Sequence, residues 1–167
     1  MGPDVATLVR RDHDDIDRAF SVLVDPATPP RELVEMLDVV KLATCVHAAA
    51  EARILQLLVA RTPSLRVISM IANQTRAEHV TLTHALDALA TLRPASLAWY
   101  EHAIELRAVV LDHANRSEQL RWTLRDHVPS DLPELLASEY ATQRMLVLST
   151  SAPDIVARRR DALISAA

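Results

Sequence analysis

The stretch Val40-Lys-Leu-Ala-Thr-Cys-Val-His47-Ala-Ala-Ala-Glu51-Ala-Arg-Ile-Leu-Gln-Leu-Leu58 decides the fold. Val40, Ala43, His47, Glu51, Ile54 and Leu58 recur every three or four residues, so they share one face of a helix. That face is apolar except at His47 and Glu51, which stand one turn apart. Neither is cheaply buried without a partner. The pattern therefore predicts a helix with chemistry at the middle of its inward face. Three other stripes repeat the theme with one histidine each: Val5, Val9, His13, Ile16, Phe20; then Ala72, Thr75, His79, Leu82, Leu86; then Leu106, Val110, His113, Leu120, Leu124.

Punctuation separates these stripes. The nine prolines stand at positions 3, 26, 29, 30, 63, 94, 129, 133 and 153 and leave long uninterrupted runs between them. Helices are predicted over about Asp4–Val24, Arg31–Ala60, Leu65–Leu92 and Ala95–Asp126. A fifth follows over about Leu132–Ser149, opened by Asp131-Leu-Pro-Glu134, an acidic cap with Pro in the first turn. Ser151-Ala-Pro-Asp154 marks a gap before a short terminal helix. The single glycine, Gly2, argues against a sheet-rich fold, because tight hairpins need residues that accept positive φ. Short joins force neighbouring helices to run antiparallel. The expected fold is all-α: an up-down-up-down antiparallel four-helix bundle over about 4–127, with one or two additional C-terminal helices over about 131–165, all within a single domain spanning 1–167.

Composition narrows the function. Half the residues are apolar but only 3% are aromatic, which suits helices packed closely on Ala, Leu and Val. The formal net charge is −4, basic residues are dispersed, and the run Arg158–Arg160 reads as a solvated helix face, so no nucleic-acid surface is expected. The lone Cys45 cannot form an internal disulfide and reads as a buried, inert thiol in a reducing compartment. There is no basic-then-apolar leader pattern and no apolar stretch of membrane-spanning length. A soluble, cytoplasmic protein without membrane or nucleic-acid partners is the expectation; the oligomeric state is left open.

The four histidines lie at comparable depth. His47 and His79 each stand about 13 residues from the join between their helices, hence about 20 Å from the same bundle end. His13 and His113 match within about one or two turns. Two carboxylates accompany them: Glu51 at i+4 from His47, and Glu118 at i+5 from His113, toward the flank of its stripe. Four neutral imidazoles and two carboxylates suit iron, manganese or zinc. Six ligands exceed what one zinc ion takes at most sites. Two metals, each with two histidines and sharing both glutamates, use the whole set. A ferritin-like site is excluded, because it needs Glu-x-x-His motifs and the chain has none. No His-Glu-x-x-His, phosphate-binding glycine loop or nucleophile elbow is present either.

Leu8-Val-Arg-Arg-Asp-His13-Asp-Asp-Ile16, His47-Ala-Ala-Ala-Glu51, Ala77-Glu78-His79 and His113-x-x-x-x-Glu118 resemble, in order and spacing, the signatures of hemerythrin-like (HHE cation-binding) domains. Arg125-Asp-His-Val-Pro-Ser-Asp-Leu-Pro-Glu-Leu135 resembles that family's passage beyond the fourth helix. The resemblance covers about Asp4 to Tyr140. It implies a non-haem pair of irons, oxo- or hydroxo-bridged, that meets oxygen, peroxide or nitric oxide; manganese and zinc rank behind iron. It implies His13, His47, His79 and His113 as terminal ligands and Glu51 and Glu118 as bridges. The chain departs from the pattern where a further third-helix histidine would stand: Thr75 and Thr83 occupy those positions. Its fourth-helix carboxylate is Glu where Asp is usual, and Ile54-Leu-Gln replaces the family's frequent Phe-Pro. An imidazole fewer leaves a coordination position open, which favours peroxide chemistry, catalase-like or peroxide-reducing, over reversible oxygen carriage.

Two other classes stay in view. One is a metal-free or mono-metal bundle serving as a binding or sensing module; the other is iron sequestration. Among the remaining polar residues, Asp17 reads as exposed or as an acceptor behind the ligands, and Glu78 as a surface residue or such an acceptor. His102 lies three turns from His113, too far for the same site, and His127 reads as a helix C-terminal residue facing the dipole. Trp99, Tyr100, Trp122 and Tyr140 read as packing residues at helix ends.

Overall fold

The computed structural model describes residues 4–125 and 132–165, with side chains described over 4–118 and 132–151. The expectations for His127, the Asp131 cap, and the side chains of Leu120, Trp122, Leu124 and Arg158–Arg160 fall outside those residues. Five helices follow in chain order: α1 (Val5–Leu23), α2 (Pro30–Arg61), α3 (Arg66–Thr91), α4 (Leu97–Arg125) and α5 (Leu132–Ser165). Among the described residues there is no strand. The predicted boundaries of the first four helices hold to within two residues. The C-terminal segment does not: α5 runs on through Pro153, so there is one C-terminal helix and no gap at Ser151–Asp154.

Local chemistry sets the ends. The Asp4 carboxylate accepts from the Thr7 amide at 2.7 Å and caps α1. Pro30 opens α2, where its missing N–H would have had no helical partner. Between α3 and α4 the Ser96 amide donates to the Arg93 carbonyl, and Ala95 adopts φ 62°. Proline followed by a positive-φ residue is the sequence of a type II turn, in a chain with no glycine to place there. The Ser96 hydroxyl then accepts from the Trp99 amide at 3.2 Å, starting α4.

α2 packs against α1, α3 and α5; α1 also meets α4 and α5, and α3 meets α4. Two apolar clusters fill the interior. One joins the C-terminal part of α1 (Ile16, Phe20, Leu23), the N-terminal part of α2 (Leu33, Leu37, Val40), the C-terminal part of α3 (Leu82, Leu86, Leu89) and the N-terminal part of α4 (Trp99, Ala103, Leu106, Val110). The Trp99 indole N–H donates to the Leu23 carbonyl, so the expected helix-end packing role is met there. The other cluster joins Ala50, Ile54, Leu55 and Leu58 of α2 and Ile68 of α3 to Leu132, Leu136 and Tyr140 of α5. Burying a side chain of Leu size stabilises by about 1.5–3 kcal/mol, so these clusters carry the fold.

Among the described residues of the first four helices, the buried polar ones are Asp12 and His13 on α1, Thr44, His47 and Glu51 on α2, Thr75 and His79 on α3, and His113 on α4. Cys45 corrects an expectation. It is exposed, because it lies one residue off the α2 stripe, on the side turned from the core.

Candidate metal centre

Each of α1 to α4 delivers one imidazole to the middle layer, and the four ring edges face one another. His13 Nε2 lies 3.0 Å from His47 Nε2, His47 Nε2 3.5 Å from His113 Nε2, and His79 Nε2 3.2 Å from His113 Nε2. Glu51 sits among them. Its Oε2 is 3.4 Å from His47 Nε2, 3.2 Å from His79 Nε2 and 3.3 Å from His113 Nε2. Its Oε1 accepts from the Ser117 hydroxyl at 3.0 Å.

One ligand atom from each of His47, Glu51, His79 and His113 lies within 4.8 Å of all the others, and all four residues are buried. His13 and Glu118 stand outside that group. His13 is buried against His47, and Glu118 is half-buried on α4.

Two hydrogen-bonded chains fix the ring orientations. On one side His47 Nδ1 is 3.0 Å from the Tyr140 hydroxyl, which donates to Asp12 Oδ2 at 2.6 Å. Asp12 Oδ1 in turn lies 2.9 Å from the Arg144 guanidinium. Because the phenol donates to Asp12, it accepts from His47 Nδ1–H, and Nε2 is the ring atom aimed at the centre. On the other side His113 Nδ1 donates to Glu78 Oε2 at 2.9 Å, and Arg116 Nε lies 3.0 Å from Glu78 Oε1. Partners of this kind set a ligating histidine's tautomer and raise its basicity.

The charges follow from this packing. Burial lowers His47, but contacts with Asp12 and Glu51 outweigh it and raise its pKa to about 9. His113 is also raised: burial opposes, while Glu51 and Glu78 prevail. Burial and then the neighbouring His47 charge push His13 down to about 3. Burial likewise lowers His79, against the pull of Glu51. Burial alone would raise Glu51, yet the imidazoles of His113, His47 and His79 hold it well below the ordinary carboxylate range. Asp12 is lowered in the same way: burial opposes, and His47, Tyr140 and Arg144 prevail. Burial and the Asp12 charge raise Tyr140, which keeps its proton as a donor.

The donor set fits a metal ion. Glu51 Oε2 is fully buried and makes no properly directed hydrogen bond despite its three close nitrogens. Three imidazole edges pressed around one carboxylate oxygen repel once protonated, whereas a shared cation satisfies all three and the carboxylate at once. A buried His and Glu group that could hold a metal ion is therefore present.

Sequence reasoning missed two of the residues that shape this centre. Tyr140 is not a helix-end packing residue: it is 0% exposed and links His47 to Asp12. Its signal was available, since Leu132, Leu136, Tyr140 and Arg144 form an i, i+4 ladder on one face of α5. Asp12 carried less signal, being one residue off the α1 stripe. Glu78 is the acceptor behind His113. Asp17 is instead engaged by Arg107 of α4 at 2.7 and 3.2 Å. Thr75 is buried one turn before His79, whereas the Thr83 hydroxyl is taken by the His79 carbonyl at 2.9 Å.

No protein-family model, curated protein or solved structure matches this chain. Among the described residues no helix is long and apolar enough to cross a membrane.

Proposed function

We propose that this chain is a hemerythrin-like metal protein that holds non-haem iron at the His/Glu centre and binds or reacts with oxygen, peroxide or nitric oxide. The single observation that carries the reading is the convergence of His47, Glu51, His79 and His113 in one buried layer. In this reading α1 to α4 form an up-down-up-down bundle. The apolar cluster that draws on alternating ends of successive helices supports that arrangement. Bound iron would supply the electron transfer that small oxidants or nitric oxide require.

The chain's own residues do the rest. His47, His79, His113 and Glu51 are the holders. Tyr140 and Glu78 orient two of the rings, and the apolar clusters on either side exclude bulk water. By the resemblance, Thr75 takes the place of an added imidazole, and its smaller hydroxyl side chain would favour access by peroxide. A cleft of about 160 Å3 between α1, α2 and α5 reaches Asp12 and Arg144 past Ile16, Val39 and Leu148, a size suited to small molecules. A second reading, a mono-metal bundle that senses or binds, uses the same four residues; the placing of a single Glu51 oxygen among three nitrogens favours it on ion number.

Metal analysis with an ultraviolet–visible spectrum after anaerobic Fe(II) loading tests the main reading. Bound iron with ligand-to-metal charge-transfer bands is expected on exposure to air. A colourless, metal-free protein would sink it. His47→Ala should sharply lower the metal content. Oxygen evolution from peroxide separates enzyme from carrier, and Thr75→His should suppress that turnover; undiminished turnover would refute the role given to Thr75.

A further inference from the structure

Two bridged metals make a definite demand on a carboxylate. A Glu51 bridging two ions through both oxygens would place each oxygen among its own set of nitrogens. Glu51 does not have this arrangement. Oε2 alone is surrounded, by His47, His79 and His113, while Oε1 is turned to the Ser117 hydroxyl at 3.0 Å.

The distances have a simple geometric meaning. A tetrahedral ion with metal–ligand bonds of about 2.0–2.2 Å separates its ligand atoms by about 3.3–3.6 Å. Five of the six edges among Glu51 Oε2 and the Nε2 atoms of His47, His79 and His113 measure 3.4, 3.2, 3.3, 3.5 and 3.2 Å. The sixth, between His47 and His79, falls within the 4.8 Å span of the group. Two ions would instead push the nitrogens of opposite ions well apart.

We infer that this centre binds one divalent transition ion, held by His47, Glu51, His79 and His113 in a four-coordinate site, with the Ser117–Glu51 hydrogen bond keeping the carboxylate monodentate. The inference rests on the reading that the centre holds metal, and it departs from the pair of ions that the ligand count of the sequence calls for. His13 becomes a neighbour of the ion site rather than a required ligand. Neutral imidazole and carboxylate donors of this kind accept Zn(II), Co(II) and Fe(II) alike.

The test is stoichiometry and coordination. The purified chain is stripped of metal, titrated separately with Zn(II), Co(II) and anaerobic Fe(II), desalted and assayed for metal per chain. Saturation at one ion is expected, and the Co(II) form should show the intense visible d–d bands of four-coordinate cobalt. His13→Gln should keep one ion, whereas His79→Gln should lose it. Circular dichroism confirms that each variant is folded, and Ser117→Ala serves as a second, milder variant that should weaken Zn(II) without changing the count. Two ions per chain, falling to one in His13→Gln, would overturn the inference while leaving the metal-protein reading intact. No ion retained by the native chain would overturn both.

Discussion

His47 and His113 both face the buried Glu51 oxygen, yet they are anchored in different ways. His113 is held from within the four-helix set by Glu78, a carboxylate that is itself 20% exposed and paired with Arg116. His47 is held from outside that set by a neutral phenol, Tyr140 of α5, which is backed by the 6%-exposed carboxylate of Asp12 and by Arg144. One anchor is short, charged and near the surface. The other is long, buried and shared among three helices. The difference teaches that α5 is part of the site, since it supplies both an apolar wall and the hydroxyl that orients a central histidine.

The largest expected effect follows from cutting the buried anchor. Tyr140→Phe keeps the ring but strips a partner from His47 Nδ1 and from Asp12 Oδ2. Each buried polar group left unsatisfied costs about 1–3 kcal/mol. A fall of about 2–4 kcal/mol in unfolding free energy is expected by urea titration, and metal affinity should drop about 10–100-fold, as for other partners behind ligating histidines. Glu78→Gln is the matched change on the other side. Its amide oxygen can still accept from His113 Nδ1–H, so the affinity loss should sit near the lower bound, about tenfold, with little change in stability. Equal losses in the two variants, measured by competition with a chelator of known affinity, would erase the asymmetry.

The same contrast explains what could be read from the chain. The histidine-bearing stripes are periodic signals within single helices, so their elements, boundaries and inward faces were legible. His47 and Glu51 are one turn apart on one helix, and their convergence followed from spacing alone. The meeting of His79 and His113 with them needed only matched depth along neighbouring helices. Tyr140, by contrast, reaches His47 across 93 positions of sequence, and no local period encodes that contact. Asp12 sits off its stripe, where Tyr140 and Arg144 of α5 meet its carboxylate. Pro153 suggested a break in the last helix, but a missing amide donor did not end it. Ligand count suggested two ions; the direction in which each Glu51 oxygen points is a side-chain torsion, which no spacing reveals.

The smallest effect gives the sharpest comparison, because the two outermost groups are matched. Arg144 and Arg116 each retain 36% side-chain exposure, and each pairs with the carboxylate of its anchor. Arg116 pairs with Asp112 as well, and the exposure of the anchor carboxylate differs, 6% for Asp12 and 20% for Glu78. Arg116→Met removes ion pairs to Glu78 and to the exposed Asp112 that water can largely replace, and Glu78 keeps Gln74 as a donor at 2.9 Å; under about 1 kcal/mol is expected. Arg144→Met deprives a buried carboxylate of its cation, and water cannot easily take its place; about 1–3 kcal/mol is expected. Both substitutions preserve most of the aliphatic stem, so packing losses are similar and the difference isolates the electrostatic contribution. Chemical denaturation of the two metal-free variants side by side decides it. If Arg116→Met costs as much as Arg144→Met, burial of the partner is not what separates the two anchors, and the strength of the Tyr140 branch must come from its hydroxyl alone.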